Sequence, residues 1–196
     1  MRDRTRLELG QVQRRFQNFV HRQIQPIDVE VVRAELQEEA ALDLAFLALI
    51  VSSCTIATLG LLANSVAVII GAMIIAPLML PIRSMAFAAL AGEVTLFRKA
   101  LLSIVVGTFL ALGISWCFGH LTGISAFGSE ILARSEPNLL DLGVAVAAGA
   151  ISGYAKIQPK LAGSLAGTAI AVALMPPVCV VGLGLSQGDW ILSWGA

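Results

Sequence analysis

The sequence predicts an all-α, polytopic membrane helix bundle. It further predicts an inverted repeat of three-helix units with proline-broken second helices, preceded by a cytoplasmic helical hairpin. Three observations predict this. Hydrophobic residues make up 57% of the 196 and charged residues only 13%, against roughly 45–50% and 25% in soluble domains. Several stretches of about 20 apolar residues are each long enough to cross a bilayer. Two of these stretches match each other, Asn64-SVAVIIGAMIIAPLMLPI-Arg83 and Gly163-SLAGTAIAVALMPPV-Cys179. Pro77 follows Ser65 by the same interval at which Pro176 follows Ser164. Paired apolar segments interrupted by Gly and Pro, in corresponding halves, are the sequence pointer to a transporter-like internal repeat.

Residues 1–41 form the first expected unit, a cytoplasmic amphipathic helical region. They hold seven of the thirteen basic and seven of the thirteen acidic residues. That mixed charge predicts helices rather than a polybasic nucleic-acid arm, and no cleavable-signal pattern. Leu9, Val12, Phe16, Phe19, Val20 and Ile24 recur at helical spacing over 7–25. Pro26 ends that helix, and Asp28 can cap a second over about 28–40. The hairpin either rests on the membrane or on its own transmembrane domain, or binds a partner or anionic lipid.

Residues 42–196 form the expected transmembrane domain, with repeat one over 42–120 and repeat two over 139–196. Span 1 covers about 42–62. Span 2 covers about 65–91, roughly 40 Å of helix if continuous, more than a hydrocarbon core of roughly 30 Å requires. The excess predicts tilt or a break, and Pro77 and Pro81 mark where a break falls. Spans 3, 4 and 5 cover about 100–120, 139–155 and 161–185. Trp190-ILSWGA reads as the opening of a sixth, truncated span, so the chain is expected to be a fragment.

The Lys/Arg bias predicts a cytoplasmic N-terminus. The inside then receives the seven basic residues of the tail with Arg98, Lys99, Lys156 and Lys160, and the outside only Arg134. Arg83 snorkels at the inner end of span 2. The repeat extends beyond the prolines. Glu38-EAALDL-Ala45 matches Glu136-PNLLDL-Gly143, Ser53 matches Ser152, and Gly92-Glu93 matches Gly188-Asp189, in colinear order. Three spans per repeat reverse the second copy in the membrane, so spans 2 and 5 run antiparallel.

Few residues offer chemistry. Cys54, Cys117 and Cys179 stand singly in apolar runs and read as small packing residues. His21 and His120 are isolated, and no hydrolase, metalloprotease, P-loop or Rossmann signature appears. No enzyme activity, catalytic residue, metal site or cofactor is expected. Prolines inside a span free backbone carbonyls, tolerated only where protein or a wet cavity satisfies them. Candidate pathway or hinge residues are therefore Ser65, Met73, Pro77, Pro81, Arg83, Ser164, Thr168, Pro176 and Pro177. Plain kinks that shape packing are the alternative. The matching Asp43 and Asp141, at the first turns of spans 1 and 4, read as helix caps or as mouth carboxylates that attract a cation.

The runs Ile56-ATLGLLANSVAVIIGAMIIAPLMLPI, Glu136-PNLLDL and Gly167-TAIAVALMPPVCVVGLGLSQGDW resemble the signature of the domain of unknown function 389 family, over about residues 42–196. The resemblance implies an integral membrane protein of bacteria or archaea with no settled activity. It also implies a chain continuing past the present end.

The functional expectation is a small-solute or ion transporter or channel, its pathway at the interface of spans 2 and 5. The alternative is a non-transporting membrane scaffold or accessory subunit that binds a partner protein through its amino-terminal helices. The expected partners are the lipid bilayer and a second copy or a membrane-complex subunit, with no nucleic acid. The expected location is the inner membrane, or another prokaryotic membrane.

Overall fold

The computed structural model describes residues 29–123, 127–135, 138–157 and 174–196. The expected helix over 7–25, the first half of span 5 and the candidates Ser164 and Thr168 lie outside the described residues. All regular structure among the described residues is helical: α1 (Val29–Glu39), α2 (Leu44–Leu62), α3 (Val66–Ile75), α4 (Met79–Ala91), α5 (Val94–Thr122), α6 (Ser129–Leu132), α7 (Leu139–Ile157), α8 (Met175–Gln187) and α9 (Trp190–Gly195). The chain forms two compact units, 1–33 and 34–196. The second carries the bundle described below.

Local chemistry sets the helix ends. The Asp43 carboxylate accepts the Phe46 N–H at 2.7 Å and starts α2. At α7, Asn138 and Asp141 form a reciprocal capping pair. The Asn138 side chain accepts from the Leu140 and Asp141 N–H groups, and the Asp141 carboxylate accepts the Asn138 N–H at 2.8 Å. Gly92 (φ 71°) ends α4 and Gly188 (φ 71°) ends α8 in the left-handed conformation that glycine adopts without penalty. Each is followed by an acidic residue in nearly the same conformation, Glu93 at φ −90°, ψ 87° and Asp189 at φ −86°, ψ 92°. The N–H of each acid closes back on the preceding helix, Glu93 to Ala88 O at 2.9 Å and Asp189 to Gly184 O at 3.0 Å.

Two helices, Leu44–Leu62 and Val94–Thr122, are each long and apolar enough to cross a membrane. Val66–Ile75 and Met79–Ala91 together make a third such span, bent by 50° at the break between them. The chain thus has two or three membrane-capable helices among the described residues, where the sequence predicts five spans. Leu139–Ala155 and Met175–Gln187 are apolar but shorter. Span 3 proves longer than expected. Its helix begins at Val94, because the turn falls at Gly92 and the charges of Arg98 and Lys99 sit within its first turns.

The core is built on α2, α5 and α8. Phe46 lies against Gly107, and further along both helices Cys54 and Thr58 meet Ala111 and Ser115. Helices α2 and α5 therefore run in the same direction. Gly182 packs on Leu112 and Ser115, and Leu183 and Ser186 pack on Gly119, so α8 runs with α5. Helix α3 returns along α2, since Gly60 lies against Val68 and Ile69. Close approach is possible because α5 buries Ser103, Gly107, Ala111, Ser115 and Gly119 at every fourth position. Small residues at that spacing let backbones meet where lipid offers no hydrophobic drive between helices. Ile50, Leu61, Ile69, Met175, Val180 and Leu183 fill the remaining space. In contrast, Leu139, Leu140, Leu142, Val144 and Val146 of α7 are exposed.

Candidate functional site

The interrupted span α3–α4 is the first place where chemistry can reside. Proline pushes the residue before it toward extended backbone, and Ala76 accordingly leaves the helix at φ −64°, ψ 121°. Pro77 has no N–H for the Met73 carbonyl one turn back. The Ala76 N–H instead bridges Ala72 O at 3.2 Å and Met73 O at 3.3 Å. The candidate Met73 carbonyl therefore already has one donor, and the Met73 side chain lies in the core. The ladder resumes where Leu80 N–H donates to Pro77 O at 3.1 Å.

The two prolines differ in role. Pro77 stops α3, whereas Pro81 occupies the first turn of α4, where no intrahelical donor is lost. Pro176 and Pro177 likewise stand in the first turn of α8. They open the helix rather than interrupt a described one. Pro77, Pro81 and Pro176 are all buried. Ser65 is the N-cap residue of α3, without a side-chain capping bond.

Among the described residues, the contact between spans 2 and 5 is slight. Helix α8 packs chiefly on α5 and α2 and meets α3 only at an edge. The groups the bundle does gather lie one layer away. Cys54, Thr58, Ser115 and Cys179 come from three helices and are all fully buried. The Cys54 thiol donates to Ala111 O at 3.2 Å and lies 3.2 Å from Ser115 Oγ. Thr58 Oγ1 and Ser115 Oγ are 3.0 Å apart. Cys54 Sγ and Cys179 Sγ are 3.6 Å apart. The sequence reading took these cysteines as isolated packing residues. They are isolated along the chain, but the parallel run of α2 and α8 brings two of them together. The recoverable signal was the four-residue stripe on α5, which admits Cys54 and Cys179 to the same layer.

Arg83 is the third notable group. Its guanidinium pairs with both oxygens of Glu39, Nε to Oε2 at 3.1 Å and Nη2 to Oε1 at 2.5 Å. The Arg83 side chain is 14% exposed and that of Glu39 17%. Beside it, Lys99 Nζ donates to Gln37 O at 3.1 Å and Ser103 Oγ to Ala40 O at 2.8 Å. These donors meet the last carbonyls of α1, where a cation is favoured by the helix dipole. At the opposite end of the bundle, Asn64 (φ 53°) accepts the Glu130 N–H at 2.9 Å and exchanges hydrogen bonds with Ser129. Asp43 and Asp141 both serve as caps, as described above. No group of three or more His, Cys, Asp or Glu suited to a metal occurs among the described residues.

Residues 73–196 match the family model described as Domain of unknown function (DUF389). The chain belongs to this family. The DUF389 match begins at Met73, so it is narrower than the resemblance drawn over 42–196. A relative described as uncharacterized protein MJ0678, from Methanocaldococcus jannaschii, is 28% identical over 140 residues. That alignment covers 71% of this chain and 43% of the relative, so the chain spans under half the length of the relative it matches. No solved structure matches the chain.

Proposed function

We propose that this DUF389 chain is a multi-pass membrane unit that passes a small solute or ion, with the discontinuous α3–α4 span as the moving part of its pathway. The 50° break inside an apolar span carries the reading. Non-helical backbone at membrane depth is confined to places covered by protein or lining a wet cavity. In the packed state Pro77 and Leu78 are covered, so the route is closed and opens by motion at Ala76–Leu78. The inverted repeat belongs to the same proposal. It is supported by the matching Gly92-Glu93 and Gly188-Asp189 turns and by the burial of both Ser53 and Ser152. Opposite directions of α3 and α8 support it as well. The N-terminus is cytoplasmic and the membrane is the inner one. Positive-inside bias supports this, with Arg83 and Lys99 at one end of the bundle and Arg134 near the Asn64 turn.

A second reading has its own support. The exposed apolar side chains of α7 suit association in the membrane plane, as a scaffold subunit or homo-oligomer requires. Water accessibility separates the two. Single cysteines at Ala76 and Met79, in a chain freed of Cys117, are treated in proteoliposomes with a charged methanethiosulfonate. Transport predicts labelling of at least one position. Complete protection of both, with Thr122→Cys labelled as a control, would favour the scaffold.

A further inference from the structure

We propose that Cys54 and Cys179 form an intramolecular oxidation site, a dithiol that a peroxide converts to a disulfide stapling α2 to α8. The two sulfurs are 125 positions apart in sequence and 3.6 Å apart in space. A disulfide needs a sulfur separation of about 2.05 Å. The remaining gap of about 1.5 Å lies within the reach of side-chain torsions without moving either helix by a turn. Neither thiol has a competing thiol of its own, since the third cysteine, Cys117, is exposed on another face.

The surroundings favour one order of events. Cys54 is flanked by Ser115 Oγ at 3.2 Å and Thr58 Oγ1 at 3.8 Å. Both hydroxyls rotate and can donate to a sulfur that becomes negative. Cys54 is therefore the attacking sulfur. The Cys54 sulfur attacks one oxygen of hydrogen peroxide while its own proton passes to the departing oxygen; the O–O bond breaks and that oxygen leaves as water. The product is the sulfenic acid of Cys54. The Cys179 sulfur then attacks that sulfur, the S–O bond breaks, and the hydroxyl leaves as a second water with the Cys179 proton. Two thiols are oxidised by two electrons and one peroxide is reduced to two waters. Burial sets the choice of oxidant. A small uncharged peroxide dissolves across a bilayer, whereas a charged oxidant does not reach a fully buried sulfur.

The site differs from an ordinary buried cysteine, which is inert. Here the resolving thiol is already in place, so the sulfenic acid is captured before further oxidation. Because the bridge joins α2 to α8, oxidation fixes two of the three helices that make the core.

The test uses the whole chain in detergent and in proteoliposomes, purified reduced and treated with hydrogen peroxide. Samples are then denatured with N-ethylmaleimide, digested and analysed by mass spectrometry. The expected result is parallel loss of alkylation at Cys54 and Cys179. A cross-linked peptide pair lighter by two hydrogens should appear, independent of protein concentration and reversed by dithiothreitol. In Cys179→Ala, treated with peroxide and then denatured in dimedone, Cys54 should instead be recovered as the dimedone adduct of its sulfenic acid. Three results would overturn the proposal: both cysteines still fully alkylated while Cys117 is oxidised, sulfonic acids without a cross-link, or cross-links only between chains. The wild-type chain decides the matter, so failure of a variant to fold does not leave it open.

Discussion

Gly182→Ala tests the contact on which the bundle depends. A β-carbon at 182 would lie 2.6 Å from Ser115 Cβ, 2.9 Å from Leu112 O and 3.2 Å from Trp116 N. Ordinary carbon contacts are about 3.5–4.0 Å. None of the three atoms can rotate away, because two are backbone and the third is bonded to backbone. Helix α8 must therefore move off α5 by about 1 Å. Overpacking of this kind costs about 1–3 kcal/mol, which is roughly 5- to 150-fold in the folding equilibrium. The assay is reversible unfolding in dodecyl maltoside with rising dodecyl sulfate, read by far-ultraviolet circular dichroism. Trp116, the residue next to Ser115 in the chain, gives a second readout by fluorescence. Gly113→Ala is the control on α5, since nothing lies within 4 Å of its added β-carbon. It should stay within about 0.5 kcal/mol of the parent. Equal stability of the two variants would refute the parallel packing of α5 and α8.

Other perturbations probe the ends of the bundle. Glu39→Gln removes the carboxylate from a nearly buried guanidinium and should destabilise by about 1.5–3 kcal/mol. The same change should speed proteolysis within α1. Asp43→Ala should cost about 1 kcal/mol, whereas Asp43→Asn should keep stability, because Asn caps a helix as well as Asp. A mouth carboxylate that attracts a cation would instead lose its effect in both. Asn64→Gly keeps the left-handed turn but removes the bonds to Ser129 and Glu130. Hydrogen exchange should accelerate in α6 while α2 stays protected.

The all-helical fold and its membrane-capable helices are legible in the amino-acid sequence. The start at Asp43 and the break at Pro77 followed from single residues whose backbone demands are local, whereas Gly92 and Gly188 were read only as matching positions of the repeat and prove to be the left-handed ends of α4 and α8. The break in span 2 was visible as excess length plus proline. The partnership of spans was not. Pairing depends on which faces meet, and the apolar residues of α2 and α5 lie on every side, so periodicity distinguishes no face. The pairs Cys54–Cys179 and Glu39–Arg83 were hidden for the same reason, since each joins positions far apart in sequence. Arg83 was read as a snorkelling charge and a candidate pathway or hinge residue because its carboxylate lay in the amino-terminal region, treated as a separate unit.

The most direct measurement is the sidedness of the two ends of α5, a helix of 29 residues, or roughly 43 Å at 1.5 Å per residue. Arg98→Cys and Thr122→Cys, each in a Cys117→Ala background, are probed in intact cells with a membrane-impermeant maleimide. The account predicts labelling at 122 in intact cells and at 98 only after permeabilisation. Labelling of both from the same side would contradict a membrane-spanning α5, and with it the parallel bundle across the bilayer.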